Sequence, residues 1–387
     1  MNKSNQRVVG LDVHPDSFAG AILAGGEQGN GKVVSTSIRV ELKGQERWTE
    51  RHTTPEDVLD LEAGGNAFGV AARMRALSRK VAILDSHQAG KIGKAYCAND
   101  RLDAIKIARI YLSGLSAVVW QPDARTLERR EVFSAYQGVV KETTRLQQQL
   151  KSMLNEHCVR LGSGFRLSHP TALSRLAKLK AWSPVQLMLL TQLHSGLRAA
   201  RARRSQLRRH MAGEILQDKE LLRLARLCGL SLVTIYGLSA AIGDIQRFAH
   251  SNKLVAYLGL NPSVCQSGNY EGGTALKRHG RGPLRALLIQ SAKKLLQVHN
   301  PLQKWGLAVA ARRGRNKAAV AVARKLCVAI WHVLSGHVIG ALEPLARLQT
   351  KLGKLATDFG LAQIKALGYE SKTAFIEEKL YLLKSYP

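Results

Sequence analysis

Arg7-Val-Val-Gly-Leu-Asp-Val13 is a short apolar run with one carboxylate near its end, and its reading decides the fold. Two further runs, Phe18 to Leu23 and Val33 to Val40, follow it, each bounded by Gly, Pro, Asp or Asn. That spacing predicts a three-strand meander. Next comes Val58-Leu-Asp-Leu-Glu-Ala63, closed by Gly64-Gly65, then a helical stretch from Ala67 to Leu77, then Val81-Ala-Ile-Leu84. Strands alternating with helices predict an α/β layer structure with a partly parallel sheet.

In such a sheet Asp12 lies in or at the end of the first strand and Glu62 at the carboxyl end of a later one, the edge where ligands bind. Downstream, Asn99-Asp-Arg-Leu-Asp-Ala-Ile-Lys-Ile-Ala108 reads as a helix start, with Asp100 and Asp103 on one face. Four converging carboxylates repel one another unless a cation sits among them, and hard oxygen ligands suit Mg²⁺ or Mn²⁺. Two such ions polarise a phosphodiester and stabilise its attacking and leaving oxygens. The plainer alternative makes Asp100 a helix cap and Glu62 an ordinary strand-end carboxylate.

The 387 residues carry 58 Lys and Arg against 28 Asp and Glu, a formal charge of +30. Such an excess calls for a polyanion, and nucleic acid is the commonest one for a folded chain that is 45% apolar. No run of 18 uncharged apolar residues appears, and the first 30 residues lack a signal-peptide pattern, so no membrane partner and a cytoplasmic location are expected. Five scattered cysteines without CxxC spacing indicate neither a zinc site nor a disulfide framework.

After Trp120-Gln-Pro122 the chain turns long, charged and glycine-poor. Val132, Tyr136, Val139, Thr143, Leu146, Leu150 and Met153 fall at alternating spacings of four and three, a heptad seam. Ser183-Pro184 offers an N-cap and a first-turn proline to a second helix with its own seam through Leu190, Leu193, Leu197, Ala200, Arg204, Leu207 and Met211. The pair fits a fold-back hairpin or a contact with a second subunit. Arg201, Arg204 and Arg208 align on one face as a track for backbone phosphates, or else a solvated face. From Leu221, helices broken at Cys228-Gly-Leu230 and Tyr236-Gly-Leu238 resemble a helix-hairpin-helix, which presents backbone amides to a phosphate.

Residues 261 to 285 form a glycine-broken segment carrying hydroxyls, a thiol and basic side chains, among them Lys277, Arg278, Arg281 and Arg285. It reads as an active loop suited to phosphates, with an Arg-rich surface loop as the plainer alternative. Ser267, just before Gly268, is placed to present a hydroxyl on a turn. Arg312 and Arg313 extend the basic surface ahead of an apolar helix over 317 to 334.

Gly10-Leu-Asp-Val-His14, Leu61-Glu-Ala-Gly-Gly65 and Asn99-Asp-Arg-Leu-Asp-Ala104 resemble the DEDD motifs of transposases of the IS-one-ten insertion-sequence family. Ile242-Gly-Asp through Tyr257-Leu-Gly-Leu-Asn-Pro262 to Gln266-Ser-Gly268 is similar to that family's second signature, so the resemblance covers nearly the whole chain. Departures are mild: Asn99 stands where Thr or Ser is frequent, and Leu227-Cys-Gly-Leu-Ser231 replaces a Pro-Gly-Ile-Gly turn, which puts the phosphate role of that turn in doubt.

The resemblance implies an RNase H-like (RuvC-like) domain over 1–124, a helical coiled-coil hairpin over 125–218, a mostly α-helical serine transposase domain over 219–345 and a tail over 346–387. It implies Asp12, Glu62, Asp100 and Asp103 as ligands of Mg²⁺ or Mn²⁺, and Ser267 as the nucleophile that links covalently to the cleaved DNA strand. It further implies donor and target DNA, a non-coding bridge RNA as guide, and a homo-oligomer, dimer or tetramer, in which one subunit's acidic domain meets another's serine. Two rival readings stand beside it: a metal-dependent structure-specific nuclease using water as nucleophile, and a non-catalytic basic nucleic-acid-binding protein.

Overall fold

The computed structural model describes residues 6–25, 31–92, 99–263, 266–267, 270–271, 275–276, 280–337, 340 and 342–384. They form two units, residues 1–122 and 123–387.

The first unit is built on β1 (Val8–Val13), β2 (Ser17–Ala24), β3 (Lys32–Glu41), α1 (Gln45–His52), β4 (Val58–Glu62), α2 (Ala67–Ala76), β5 (Lys80–Leu84), α3 (Ser86–Ile92) and α4 (Asp100–Ser113). The expected meander is present, and β1 goes on to pair with β4 in parallel, giving the strand order β3-β2-β1-β4-β5. Both faces are covered, which explains the near-continuous apolar runs of β1 and β4. One face buries Val9, Leu11, Leu59 and Leu61 against Trp48, Val70 and Met74 of α1 and α2. The other buries Val8, Ala19, Ala21 and Leu23 against Ala104, Ile105 and Ala108 of α4.

Gly10 fixes how closely α4 lies on the sheet. A Cβ at that position would sit 2.1 Å from the Ala104 carbonyl oxygen and 2.7 Å from the Ala108 amide nitrogen. Only a residue without a side chain lets the helix backbone come that close. The Asn99 side chain then caps α4, accepting from the Leu102 amide at 2.8 Å.

The second unit begins where Asp123 caps α5 (Ala124–Glu156), accepting from the Thr126 amide at 2.7 Å. That cap puts the boundary two residues before the expected position 124. The unit continues through α6 (Ala172–Ala177), α7 (Pro184–Gln217), α8 (Lys219–Ala225), α9 (Leu232–Ile242) and α10 (Ser251–Tyr257). Four two-residue strands follow, β6 (Pro262–Ser263), β7 (Gln266–Ser267), β8 (Tyr270–Glu271) and β9 (Ala275–Leu276). The rest is helical: α11 (Gly282–Leu295), α12 (Gln303–Arg313), α13 (Arg315–Leu334), α14 (Leu345–Phe359), α15 (Leu361–Ala366) and α16 (Lys372–Lys384).

Helices α5 and α7 fold back on each other within the chain. Leu146, Leu150 and Leu154 meet Leu190, Leu197 and Ala200. Leu154 takes the buried place expected of Met153, and His194 is buried in α7 one residue beyond Leu193. The N-cap expected at Ser183 is formed, and Gln186 completes it as a capping box. The expected apolar helix after residue 316 is α13, which buries Val322, Leu326, Cys327 and Ile330 in the main core. Leu352, Leu355 and Phe359 of α14 and Phe375 of α16 enter that same core. No helix among the described residues is long and apolar enough to cross a membrane.

Candidate functional site

The carboxyl edge of the β1–β4 pair carries the acidic cluster. Asp12 sits next to last in β1 and Glu62 ends β4, and these strands run in parallel, so both carboxylates emerge at one edge. The close seat of α4 on Gly10 brings the first turn of that helix to the same edge, with Asp100 and Asp103 in it.

His14 stands between two of the acids. Its Nε2 lies 3.4 Å from Asp12 Oδ2 and 3.6 Å from Asp100 Oδ1. Ligand atoms of Asp12, His14 and Asp100 all fall within 4.8 Å of one another. Asn66, at the start of α2, donates to the His14 carbonyl at 2.8 Å and holds the strand end in place. Lys106 Nζ is 3.6 Å from Asp103 Oδ1.

The charges here are under strain. Burial raises the Asp12 carboxyl above its ordinary value and the charges of Asp103 and Asp100 push the same way, against the lowering effect of His14. Burial likewise raises Glu62; Lys106 opposes it, while Asp12 and Asp103 add to it. Carboxylates held together in a half-buried place at this cost, with an imidazole nitrogen beside them, fit a divalent cation that takes oxygen and occasional nitrogen ligands. Among the described residues the ligand atoms that come within reach of one another are those of Asp12, His14 and Asp100, while Glu62 and Asp103 are coupled to them through charge.

Sequence reasoning missed His14 and Lys106. A signal was present for Lys106, which follows Asp103 by three on a helix, whereas His14 stands just past the end of β1.

The second candidate region is the loop before α11. Ser267 pairs through its backbone with Tyr270, and Pro262 with Leu276, in two short antiparallel ladders. Lys277 and Arg278 lie outside the described residues. Gly280, at φ +97°, closes the segment against α10, where a Cβ would sit 2.8 Å from the Gly259 amide nitrogen. Arg281 Nε then donates to the Tyr257 hydroxyl at 3.0 Å, and that hydroxyl donates to the Ala241 carbonyl at 3.0 Å. Burial pushes the Tyr257 phenol up, but the charges of Arg281 and Arg247 outweigh it and leave the group below its ordinary value. Arg285 Nη1 reaches the Gly259 carbonyl at 3.4 Å.

The remaining basic candidates differ in how far the protein itself engages them. Arg208 makes a two-pronged ion pair with Asp358, at 2.6 and 3.0 Å, so one member of the α7 track is held inside the fold. Arg201 is exposed and donates to the Ser168 hydroxyl; Arg204 is half-buried. Arg312 and Arg313 are exposed in the last turn of α12, where cations complement the helix dipole.

Residues 222–305, from α8 into α12, match the family described as Transposase IS116/IS110/IS902. The Coxiella burnetii "Transposase for insertion sequence element IS1111A" is 28% identical over 61% of this chain, which spans just under two thirds, 66%, of that relative. A "Probable family 20 transposase" of Pseudomonas aeruginosa is 24% identical over 73% of this chain and 85% of its own length. The Yersinia enterocolitica "Transposase for insertion sequence element IS1328" is 23% identical over 85% and 97%. The class these matches support is the insertion-sequence transposase. Within that class, the chain is similar to the IS116/IS110/IS902 family.

Proposed function

We propose that this chain is a DNA transposase that cuts and rejoins strands through a covalent link to Ser267, assisted by a divalent cation at Asp12, Glu62, Asp100 and Asp103. The observation that carries the reading is the meeting of Asp12 and Asp100 about His14 at the carboxyl edge of β1, with Glu62 and Asp103 electrostatically coupled to it. The strand order β3-β2-β1-β4-β5, with β2 antiparallel to its neighbours, supports the RNase H-like reading of the first unit.

Mg²⁺ or Mn²⁺ bound there supplies polarisation of a phosphodiester oxygen. The protein's own groups do the rest. The Ser267 hydroxyl gives up its proton and its oxygen attacks phosphorus; a P–O bond to one deoxyribose breaks, and that sugar oxygen leaves with a proton. Arg281 and Arg285, beyond the loop's end, neutralise the phosphate in flight, and Lys277 and Arg278 extend that charge. Arg201, Arg204, Arg312 and Arg313 bind nucleic-acid backbone. The resemblance to IS110-family transposases adds a guide RNA and a homo-oligomer to this reading.

The test is an adduct assay with the element's DNA, its cognate RNA and Mg²⁺. Wild type forms a denaturation-resistant protein–DNA adduct, and Ser267→Ala and Asp12→Ala both lose it. Cleavage that survives in Ser267→Ala would instead make the protein a nuclease that uses water.

A further inference from the structure

A cavity of about 380 Å³ opens in the second unit where the turn after α8 faces α11 and α14. Five cationic side chains line it against two carboxylates. Arg208 is taken by Asp358. Lys351 is taken by Glu343, with Nζ to Oε1 at 3.1 Å, and by the carbonyls of Ala225 and Leu227 at 2.9 and 2.7 Å. Both carboxylates are thus neutralised inside the fold.

That leaves Lys294, Arg347 and Lys354 facing one opening. All three are exposed. Arg347 gives one Nη1 bond to the His299 carbonyl at 2.7 Å, which anchors its guanidinium without cancelling its charge. Neither Lys294 nor Lys354 has an acidic partner among the described residues. Two separate helices thus bring three like charges to one concavity, an arrangement that suits an anion.

The turn itself does not supply the anion seat. The Gly229 amide, where a helix-hairpin-helix would offer a backbone donor, already donates to Glu343 Oε1 at 3.2 Å. Glu343 caps the turn, and Lys351 balances Glu343.

We propose that the cavity seats a backbone phosphate of bound nucleic acid, held by Lys294, Arg347 and Lys354 over the closed Glu343–Lys351 pair. The seat rests on the reading of this chain as a nucleic-acid-processing protein, and it lies apart from the acidic cluster and from the segment around Ser267 in sequence and in role. It contributes affinity without base readout, because ammonium and guanidinium groups on phosphate carry no sequence information.

The test is fluorescence anisotropy of the full chain with a labelled 20-base-pair DNA duplex and, separately, a labelled RNA hairpin of equal length, over a salt series. The Lys294→Gln, Lys354→Gln double variant binds about tenfold more weakly, and its slope of log affinity against log salt is shallower by about 2. A Lys32→Gln, Lys80→Gln control removes two charges from the first unit and changes neither quantity beyond about twofold. A fall with DNA alone assigns the seat to DNA, a fall with RNA alone to RNA, and a fall with both to either backbone. Equal binding by double variant and wild type, with both folded by circular dichroism, overturns the seat alone. Absence of binding by wild type itself overturns the broader reading.

Discussion

Gly10→Ala perturbs the contact on which the acidic cluster depends. The new methyl would sit 2.1 Å from the Ala104 carbonyl oxygen, 2.7 Å from the Ala108 amide nitrogen and 2.9 Å from the Ala108 Cβ. Two of those three neighbours are helix backbone, which has no rotamer to give. Restoring ordinary contact requires α4 to move off β1 by more than 1 Å, roughly the difference between 2.1 Å and a normal carbon–oxygen approach. Overpacking of this kind costs about 1–3 kcal/mol, and a rigid helix places the substitution at the upper end. The displacement also carries Asp100 and Asp103, in the first turn of α4, away from Asp12. Urea unfolding of the full chain should therefore show a lower midpoint, and titration calorimetry with Mn²⁺ should show affinity lost by more than the stability change accounts for. A Gly10→Ala protein with wild-type unfolding and wild-type Mn²⁺ affinity refutes the argument that this glycine sets the cluster.

Asp218 lies between Arg129 and Arg125, at 2.8 and 2.9 Å. Burial pushes its carboxyl up, but the Arg129 hydrogen bond, the Leu221 amide and both arginine charges hold it below its ordinary value. A depressed carboxylate stabilises the fold above its unfolded pKa and loses that contribution as pH falls through the lower folded value. Asp218→Asn should thus be less stable by about 2 kcal/mol at neutral pH, with the gap closing below about pH 4 in thermal melts. Arg208→Ala should lower the melting temperature, because it strands Asp358, yet leave the salt slope of DNA binding nearly unchanged. Arg201→Ala should do the reverse, reducing that slope by about 1.

Much of the first unit was legible because its strands are bounded by turn formers and its carboxylates stand at strand and helix ends. The runs at 7–13, 58–62 and 81–84 gave strands within a residue or two. Pairing of β1 with β4 was not legible, since register across a helical crossover leaves no local pattern. His14 went unassigned as a site residue for a different reason: a lone histidine after a strand acquires meaning only when a helix 86 residues later brings Asp100 to it. In the second unit the heptad reading gave both long helices and left open whether they pair within the chain; the shared cluster of Leu150, Leu190 and Leu197 is intramolecular. The alignment of Arg201, Arg204 and Arg208 followed from helical period. Period says nothing of Asp358, which comes from α14 and withdraws Arg208. Cys228-Gly-Leu230 does form a turn between α8 and α9, with its amide partner Glu343 114 residues away, but the break expected at Tyr236-Gly-Leu238 is absent, since those residues lie buried inside α9 where Gly237 packs closely on Phe133 and Leu284.

The charge of +30 is not shared evenly, and that asymmetry separates two functions. Residues 1–122 carry 16 Lys and Arg against 13 Asp and Glu, and residues 123–387 carry 42 against 15. Counterion release scales with the phosphates neutralised, so on the proposed function most of the salt-dependent affinity is expected from the helical unit. The acidic cluster sits in the near-neutral one. Binding and metal dependence should come apart accordingly. Asp12→Asn removes one half-buried, mutually repelling carboxylate, so it should abolish Mn²⁺ binding by calorimetry while holding or raising the melting temperature of the metal-free protein. In the same variant the salt slope for a DNA duplex should match wild type within error. A slope that fell together with Mn²⁺ affinity would mean that nucleic acid is held chiefly at the acidic edge through the cation, and the division of labour between the two units would be wrong.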